Sequence, residues 1–275
     1  CGSHTMPLFH HGIRDLLPAD MQLLSGPGCP VCVTPQGYID SAIELARSQD
    51  VILASFGDML RVPGTQSSLL KEKAAGHDIR VLYSPLDALE IAAANPARQV
   101  VFLGVGFETT APVVAVTILD AAKRGLNNFS VFSAHKLVPP AMEALCADSG
   151  LQVDGFLCPG HVSTVIGLEP YRFLAEQHHK PAVIAGFEIV DILHALLLLA
   201  EMLRLDKPAA VNAYPRAVSD AGNPTAREIL QRVFMPSDSV WRGLGLIQRS
   251  GLQIRPEFAR FDAAVRFDLK ETETQ

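Results

Sequence analysis

The chain has 275 residues, of which 48% are hydrophobic and 19% charged, a composition typical of a globular protein with a substantial core. Its net charge of −6 argues against a nucleic-acid-binding or anionic-membrane-binding surface. The longest apolar run, 192–203, is too short to span a bilayer and contains His194 and Glu201, so we expect no membrane partner either.

The cysteine content favours a reducing compartment. Five cysteines in so long a chain do not resemble a disulfide framework, and no signal peptide or lipidation motif is recognisable. We therefore expect a cytoplasmic protein.

Short apolar runs alternate with helical patterns along the whole chain. The predicted strands lie in 21–28, 51–58, 80–87, 99–108, 129–135, 154–161 and 181–188. The predicted helices are 38–48, 86–94, 112–124, 140–147, 170–177 and 189–205. This alternation predicts an α/β fold of the doubly wound, Rossmann-like type with parallel sheets.

Two segments repeat the same local pattern. Residues 100–121 and 181–202 both read as a strand, then Gly-Phe-Glu, then a helix. The repeat predicts two α/β lobes related by pseudo-twofold symmetry, with the first lobe in 1–126 and the second in 127–275. The segment after about 207 is rich in turns and can return to the first lobe, and it contains a predicted hairpin in 241–258.

The stretch GPGCPVC, 26–32, places Cys29 and Cys32 three positions apart in a loop framed by glycine and proline. We interpret its glycines as following a strand and permitting positive φ, which would put both thiols at a strand end where α/β proteins place their sites. A redox dithiol and an open metal site both fit this spacing. A structural zinc site is disfavoured because a second Cys-x-x-Cys pair is absent, and the bland alternative is two buried cysteines.

Other candidate residues follow predicted strands or lie near the start of the chain. Cys1 and His4 form a Cys-x-x-His pair that suits two ligands, or a ligand and a proton donor, or is an incidental remnant of an expression tag. Asp58 and His161 could transfer protons, although helix capping and an ordinary loop histidine are the structural alternatives. Cys146 and Cys158 are interpreted as packing residues.

The stretch GFETTAP, 106–112, follows a strand and opens a helix. Gly106, Glu108, Thr109 and Thr110 are therefore candidates for binding an anion or a cofactor. The stretch is neither a Walker loop nor a complete G-x-G-x-x-G motif, so support for a nucleotide-dependent enzyme is weak. The structural alternative is threonine acting as a helix cap.

Taken in order, the motifs resemble the HypD family of hydrogenase maturation factors over nearly the whole chain, from Cys1 to about Phe267. The motifs that carry the resemblance are CGSHT, GPGCPVCVTP, FGDMLRVPG, YSPLDAL, GFETTAP, PGHVSTVIG, AGFE, DAGN and WRGLG.

The resemblance implies a scaffold on which the Fe(CN)2CO centre of nickel–iron hydrogenase is assembled. It implies a HypC-type small partner that shares the iron and a HypE-type partner that delivers cyanide. It also implies that Cys1, Cys29 and Cys32 are the metal ligands, that His4 lies near the first, and that Asp58 and His161 line a cleft. The protein would then be an assembly scaffold with redox-active thiols rather than a turnover enzyme.

The sequence departs from the family pattern at both ends. The family has a helical segment before the Cys-Gly-x-His-Thr motif, and a C-terminal cysteine-rich region that holds a 4Fe–4S cluster. Neither is present in this sequence. The alternative function that remains is a thiol–disulfide oxidoreductase using the dithiol of Cys29 and Cys32.

Overall fold

A computed structural model describes residues 2–269 of the chain. Its contacts divide into two compact units. The four-stranded unit comprises residues 30–137 and 228–269, and the three-stranded unit comprises residues 2–29 and 138–227. These units interleave along the chain. The lobes expected from the sequence are 1–126 and 127–275, with the segment after about 207 able to return to the first lobe.

Helices and strands alternate, as the hydrophobic pattern indicates. The α-helices are α1 (Gly2–His10), α2 (Gln36–Arg47), α3 (Leu69–Ala74), α4 (Asp87–Ala94), α5 (Ala111–Arg124), α6 (Val138–Ala147), α7 (Gly160–Ile166), α8 (Arg172–Glu176), α9 (Ile189–Leu205), α10 (Pro224–Val233) and α11 (Ala263–Arg266). Short 3-10 helices occupy Ile13–Leu16, Gly57–Arg61, Glu169–Tyr171 and Pro256–Phe261. The strands are β1 (Val51–Ser55), β2 (Ile79–Val81), β3 (Gln99–Gly104), β4 (Phe129–Ser133), β5 (Phe156–Pro159), β6 (Ala182–Ala185), β7 (Ala210–Asn212), β8 (Phe234–Trp241) and β9 (Gly245–Ile254).

The four-stranded unit contains a parallel sheet in the order β2-β1-β3-β4. The order reverses between β1 and β3, which is the switch point at which doubly wound proteins bind ligands. One sheet face packs on α4, α5 and the β8–β9 hairpin, and the other packs on α2 and α3. Burial on both faces explains why these strands read as continuous apolar runs.

The three-stranded unit contains the parallel sheet β5-β6-β7. One face of the sheet packs on α1 and α9 through Leu8, Ile192 and Leu199. The other face packs on α6 and α8 through Met142 and Leu174. Both units are therefore Rossmann-like, and the predicted parallel α/β fold class is confirmed.

Several local predictions have clear outcomes. The two Gly-Phe-Glu segments do follow strands, β3 and β6, and do precede helices, α5 and α9. The C-terminal hairpin is confirmed as β8–β9. The strand predicted in 21–28 is wrong, because this segment has no strand pairing and is irregular. The positive φ expected at Gly26 and Gly28 is also wrong, since neither is among the positive-φ glycines of residues 2–269.

Within residues 2–269 the chain contains no helix that is both long enough and apolar enough to cross a membrane.

Candidate functional site

The CPVC loop is a turn on the stretch of chain that connects the two units. Cys29 is the last residue of one unit's segment and Pro30 the first of the other's. The buried Thr34 hydroxyl donates a hydrogen bond to the Pro30 carbonyl at 2.8 Å, and the Val33 carbonyl accepts one from the Arg242 N–H at 2.8 Å. These bonds fix the loop just before α2 begins at Gln36.

The four cysteines within residues 2–269 differ in exposure. Cys32 is exposed, Cys29 and Cys146 are half-buried, and Cys158 is buried. Burial raises the pKa of both Cys146 and Cys158, far above the normal range for Cys158. The thiolate is the form that binds metals, so Cys29 and Cys32 are better placed to act as ligands than the other two. Cys1, the third predicted ligand, lies outside the described residues.

Two predicted residues, His4 and His161, come together in the three-stranded unit. Both imidazoles stack on Phe187, with ring centroids 4.8 Å away for His4 and 4.0 Å away for His161. His161 lies in the first turn of α7, directly after β5, and Phe187 follows β6. Because β5 and β6 are parallel neighbours, their following residues meet at one edge of the sheet.

His4 is buried and neutral. Only 2% of its surface is exposed, and its Nε2 lies 3.3 Å from the Ala185 carbonyl oxygen, to which it donates. Burial lowers its pKa to about 4, so the imidazole carries no charge at neutral pH. Helix α1 holds His4 in place because Leu8, one turn further on, is buried in the core beneath α9.

The backbone at this edge leaves no room for larger residues. A Cβ atom at Gly186 would lie 2.1 Å from Asp191 Oδ2, and one at Gly160 would lie 2.5 Å from the Ala185 carbonyl oxygen. Asp191 is fixed by Arg216, whose two terminal nitrogens donate to its two oxygens at 2.6 Å each. Hydrogen bonds from Arg216 lower the pKa of Asp191 and keep it ionised.

The other predicted residues lie at the carboxyl edge of the sheet in the four-stranded unit. Asp58 follows β1, is exposed, and accepts a hydrogen bond from the Met59 N–H at 3.0 Å. Gly106 to Thr110 follow β3, the neighbour of β1. Asp58 and the 106–110 loop are thus both at the switch point of this sheet.

The 106–110 loop is a tight turn. A Cβ atom at Gly106 would overlap Thr110 Oγ1, which donates to the Phe107 carbonyl at 3.2 Å. Glu108 is buried and Thr109 is exposed. Glu188, which matches Glu108 in the repeat, is 81% exposed in its side chain, so the two repeated glutamates occupy different environments.

Sequence reasoning missed three side chains at these edges. Phe187 stacks with both histidine rings. Its position in a Gly-Phe-Glu segment directly after a strand is the sequence feature that could have identified it as a site residue. Buried Lys136 donates to Ser239 and to the Val240 carbonyl, and buried His135 has Nδ1 3.0 Å from Ser133 Oγ. Both residues follow β4. Lys136 contacts the late hairpin through these two bonds, and the His135 ring lies edge-on to Phe234 of that hairpin at 5.5 Å. No local sequence pattern reveals these contacts.

No group of three or more His, Cys, Asp or Glu side chains within residues 2–269 is arranged to hold a metal ion. Cys29, Cys32, Cys146 and Cys158 in particular do not gather into a four-thiolate site. The described residues therefore do not fit the 4Fe–4S cluster that the family pattern implies.

The structure is that of an α/β protein with two Rossmann-like units. Two cysteines lie on the turn where the chain passes from one unit to the other, and two histidines lie at the edge of one sheet. The profile of the HypD family, described as "Hydrogenase formation hypA family", matches residues 1–275. The hydrogenase maturation factor HypD2 of Bradyrhizobium diazoefficiens is 48% identical over 98% of this chain and 73% of its own. The hydrogenase expression/formation protein HupD of Azotobacter chroococcum is 50% identical, with the same coverage. Escherichia coli HypD is 46% identical over 97% of this chain and 72% of its own. The chain belongs to the HypD family of hydrogenase maturation factors.

Proposed function

We propose that the protein is a cytoplasmic scaffold on which the Fe(CN)2CO centre of nickel–iron hydrogenase is assembled. Cys29 and Cys32 bind the iron as thiolates, with Cys1 as the third thiol. A HypC-type small partner shares the iron, and a HypE-type partner supplies cyanide. Family membership supports the role in maturation, and the chemistry of the loop supports the choice of residues.

The observation that carries this proposal is the contrast between the cysteines. Cys32 is exposed and Cys29 half-buried on a turn, whereas Cys158 is buried with a strongly raised pKa. Soft thiolates suit iron, and a site with few protein ligands leaves positions for diatomic ligands. On this turn the Cys32 side chain is exposed to a partner, and the Cys29 side chain is partly exposed.

The histidines would serve proton transfer during assembly of the iron centre. His4 is held neutral by burial, and its Nε2–H donates to the Ala185 carbonyl oxygen, which fixes the position of the ring. His161 is exposed to solvent at the same sheet edge. In the four-stranded unit, Asp58 is exposed just after β1 and would take part in proton transfer there.

The proposal is tested by complementation of a bacterial strain that lacks its own HypD. The gene that includes this chain should restore hydrogenase activity, and Cys29→Ala and Cys32→Ala should each abolish it. Cys146→Ala is the matched control and should retain activity, because Cys146 lies in α6 with a raised thiol pKa. Restoration of activity by both loop variants would refute the assignment of the ligands.

A further inference from the structure

A basic groove lies at the amino edge of the sheet in the four-stranded unit. It has a volume of about 990 Å³ and is lined by residues that precede β1, β2 and β3. Its cationic side chains are Arg47, Lys73, Arg80 and Arg98, and its carboxylate is Asp78, with Glu72 beside it. Because the strands are parallel, this edge is opposite to the one that carries Asp58 and Gly106.

The groove has a surplus of positive charge on a protein whose net charge is −6. Four permanent cations face three carboxylates, which are Glu72, Asp78 and the Glu44 carboxylate that also acts on Arg47. Arg47 binds Glu72 through Nε and Nη2 at 3.0 and 2.8 Å, and its hydrogen bonds lower the pKa of Glu72 to about 2. Arg80 binds Asp78 in the same way, at 2.9 and 3.1 Å. The internal ion pairs therefore leave the groove cationic at neutral pH.

The guanidinium groups retain capacity to bind more anions. Arg47 and Arg80 each use two of their five N–H donors in these pairs, and their side chains are 49% and 37% exposed. Arg98 donates to Asp78 at 2.7 Å and to the Val51 carbonyl at 2.8 Å. Its buried Nε has no hydrogen-bond partner among the described residues.

The lining favours carboxylates over phosphates and nucleotides. Of the described residues that line the groove, none is Phe, Tyr or Trp, so a base has no stacking surface. The N–H groups of Ala75, Gly76, His77 and Ile79 all donate to carbonyls of the same segment, so no backbone cradle for phosphate exists there. Within the groove, the guanidinium groups of Arg47 and Arg80 already bind the protein's own carboxylates, Glu72 and Asp78, through paired donors.

From these observations we propose that the basic groove is a docking site for an acidic segment, rich in aspartate and glutamate, of a partner protein. The groove's volume of about 990 Å³ accommodates several side chains, and the groove lies away from the edge that carries Asp58. A partner bound there leaves that edge open. The proposal concerns the surface alone and does not depend on iron binding.

The test is fluorescence anisotropy with a labelled peptide of alternating aspartate and glutamate, measured at low salt and at increasing salt. The protein should bind the peptide, and the affinity should fall as salt screens the charges. The variant Arg47→Gln/Arg80→Gln should bind at least about tenfold more weakly, because it removes two cations and leaves Glu72 and Asp78 to repel the peptide. The variant Arg47→Lys/Arg80→Lys keeps both charges but loses the paired donors, so its affinity should lie between those of the unmodified protein and the glutamine variant.

The matched control is Arg124→Gln/Arg172→Gln, which removes two ion-paired, similarly exposed arginines outside the groove. It should bind as the unmodified protein does, and circular dichroism should show that all variants are folded. The proposal is overturned if the unmodified protein fails to bind the peptide, or if the control weakens binding as much as the groove variant. Tighter binding of tripolyphosphate than of the peptide, with the same dependence on Arg47 and Arg80, would also overturn it.

Discussion

The imidazole of His161 lies stacked on the ring of Phe187, with the ring centroids 4.0 Å apart and the planes inclined by 27°. The buried ring of His4 stacks on the same phenylalanine. One aromatic side chain thus orients two histidines that the sequence places 157 positions apart. Phe187 is a positioning residue in this account, since it has no group that can bind a metal or transfer a proton.

Replacing Phe187 with leucine should release both histidine rings. We expect the imidazole proton signals of His4 and His161 to move in NMR spectra, because the ring current of Phe187 is lost. The cost in stability should be modest, about 1 kcal/mol, since leucine fills much of the same volume.

The matched control for this variant is Phe173→Leu. Phe173 makes an edge-on contact with His178 at 5.9 Å in the same unit, so this change should move the His178 signals instead. Unchanged His4 and His161 signals in the Phe187→Leu variant would show that the stacking is absent in solution.

Alanine at Gly186 should destabilise the three-stranded unit. Its methyl group would lie 2.1 Å from Asp191 Oδ2 and 2.6 Å from the Tyr214 ring, and the Asp191–Arg216 pair would have to move. We expect a loss of about 1–3 kcal/mol in the free energy of unfolding. Gly26→Ala is the control, because no atom lies within 4 Å of its Cβ position. Denaturant unfolding curves measure both, and equal midpoints for the two variants would contradict the packing described.

The buried histidines should make the protein less stable in mild acid. Burial lowers the pKa of His135 to about 3 and that of His4 to about 4. Between pH 6.5 and about 4 the unfolded chain therefore binds protons at these histidines and the folded chain does not. The free energy of unfolding should fall as the pH falls, by about 1.4 kcal/mol per pH unit for each histidine. Denaturant unfolding curves collected across this pH range measure it.

The variant His135→Gln isolates the contribution of one histidine. It should lower the slope of stability against pH by about 1.4 kcal/mol per unit, whatever its effect on overall stability. If the variant kept the full slope, His135 would not be a neutral buried group in the folded protein.

The cysteines should react with iodoacetamide at very different rates. Cys32 is exposed and should be alkylated first, followed by Cys29, whereas buried Cys158 should react only after the protein unfolds. Cys146 should be slow, since burial raises its pKa. Peptide mass spectrometry after timed labelling gives the order. Alkylation of Cys158 in the native protein as fast as that of Cys32 would be incompatible with the fold.

Much of the fold follows from local sequence pattern. The helix predicted at 189–205 has the bounds of α9, and the buried strands β1, β3, β4 and β6 lie within the predicted apolar runs. These strands are buried on both faces and read as continuous apolar runs, so the local hydrophobic pattern identifies them. The strand predicted in 21–28 is wrong because this segment does not pair with a sheet, and its residues are half-buried or exposed rather than buried.

The side-chain neighbourhoods were not predictable in the same way. Helix α1 joins the three-stranded unit because Leu8 is buried with Val183 and Ile192, a contact between residues far apart in sequence. The hairpin β8–β9 joins the four-stranded unit through Phe234 and Leu252, which are buried with Phe102 and Phe129. Sequence spacing carries no information about such contacts, so it identified His4 and His161 but not their common partner Phe187.

The most direct test of the central claim is infrared spectroscopy of the protein purified anaerobically with its HypC-type partner. If Cys29 and Cys32 hold the iron, the unmodified complex and the Cys146→Ala control should both show stretching bands of iron-bound cyanide and carbon monoxide. The Cys29→Ala and Cys32→Ala variants should each lose both kinds of band. Retention of the bands in both loop variants, in complexes that still contain the partner, would contradict the claim that these thiols hold the iron.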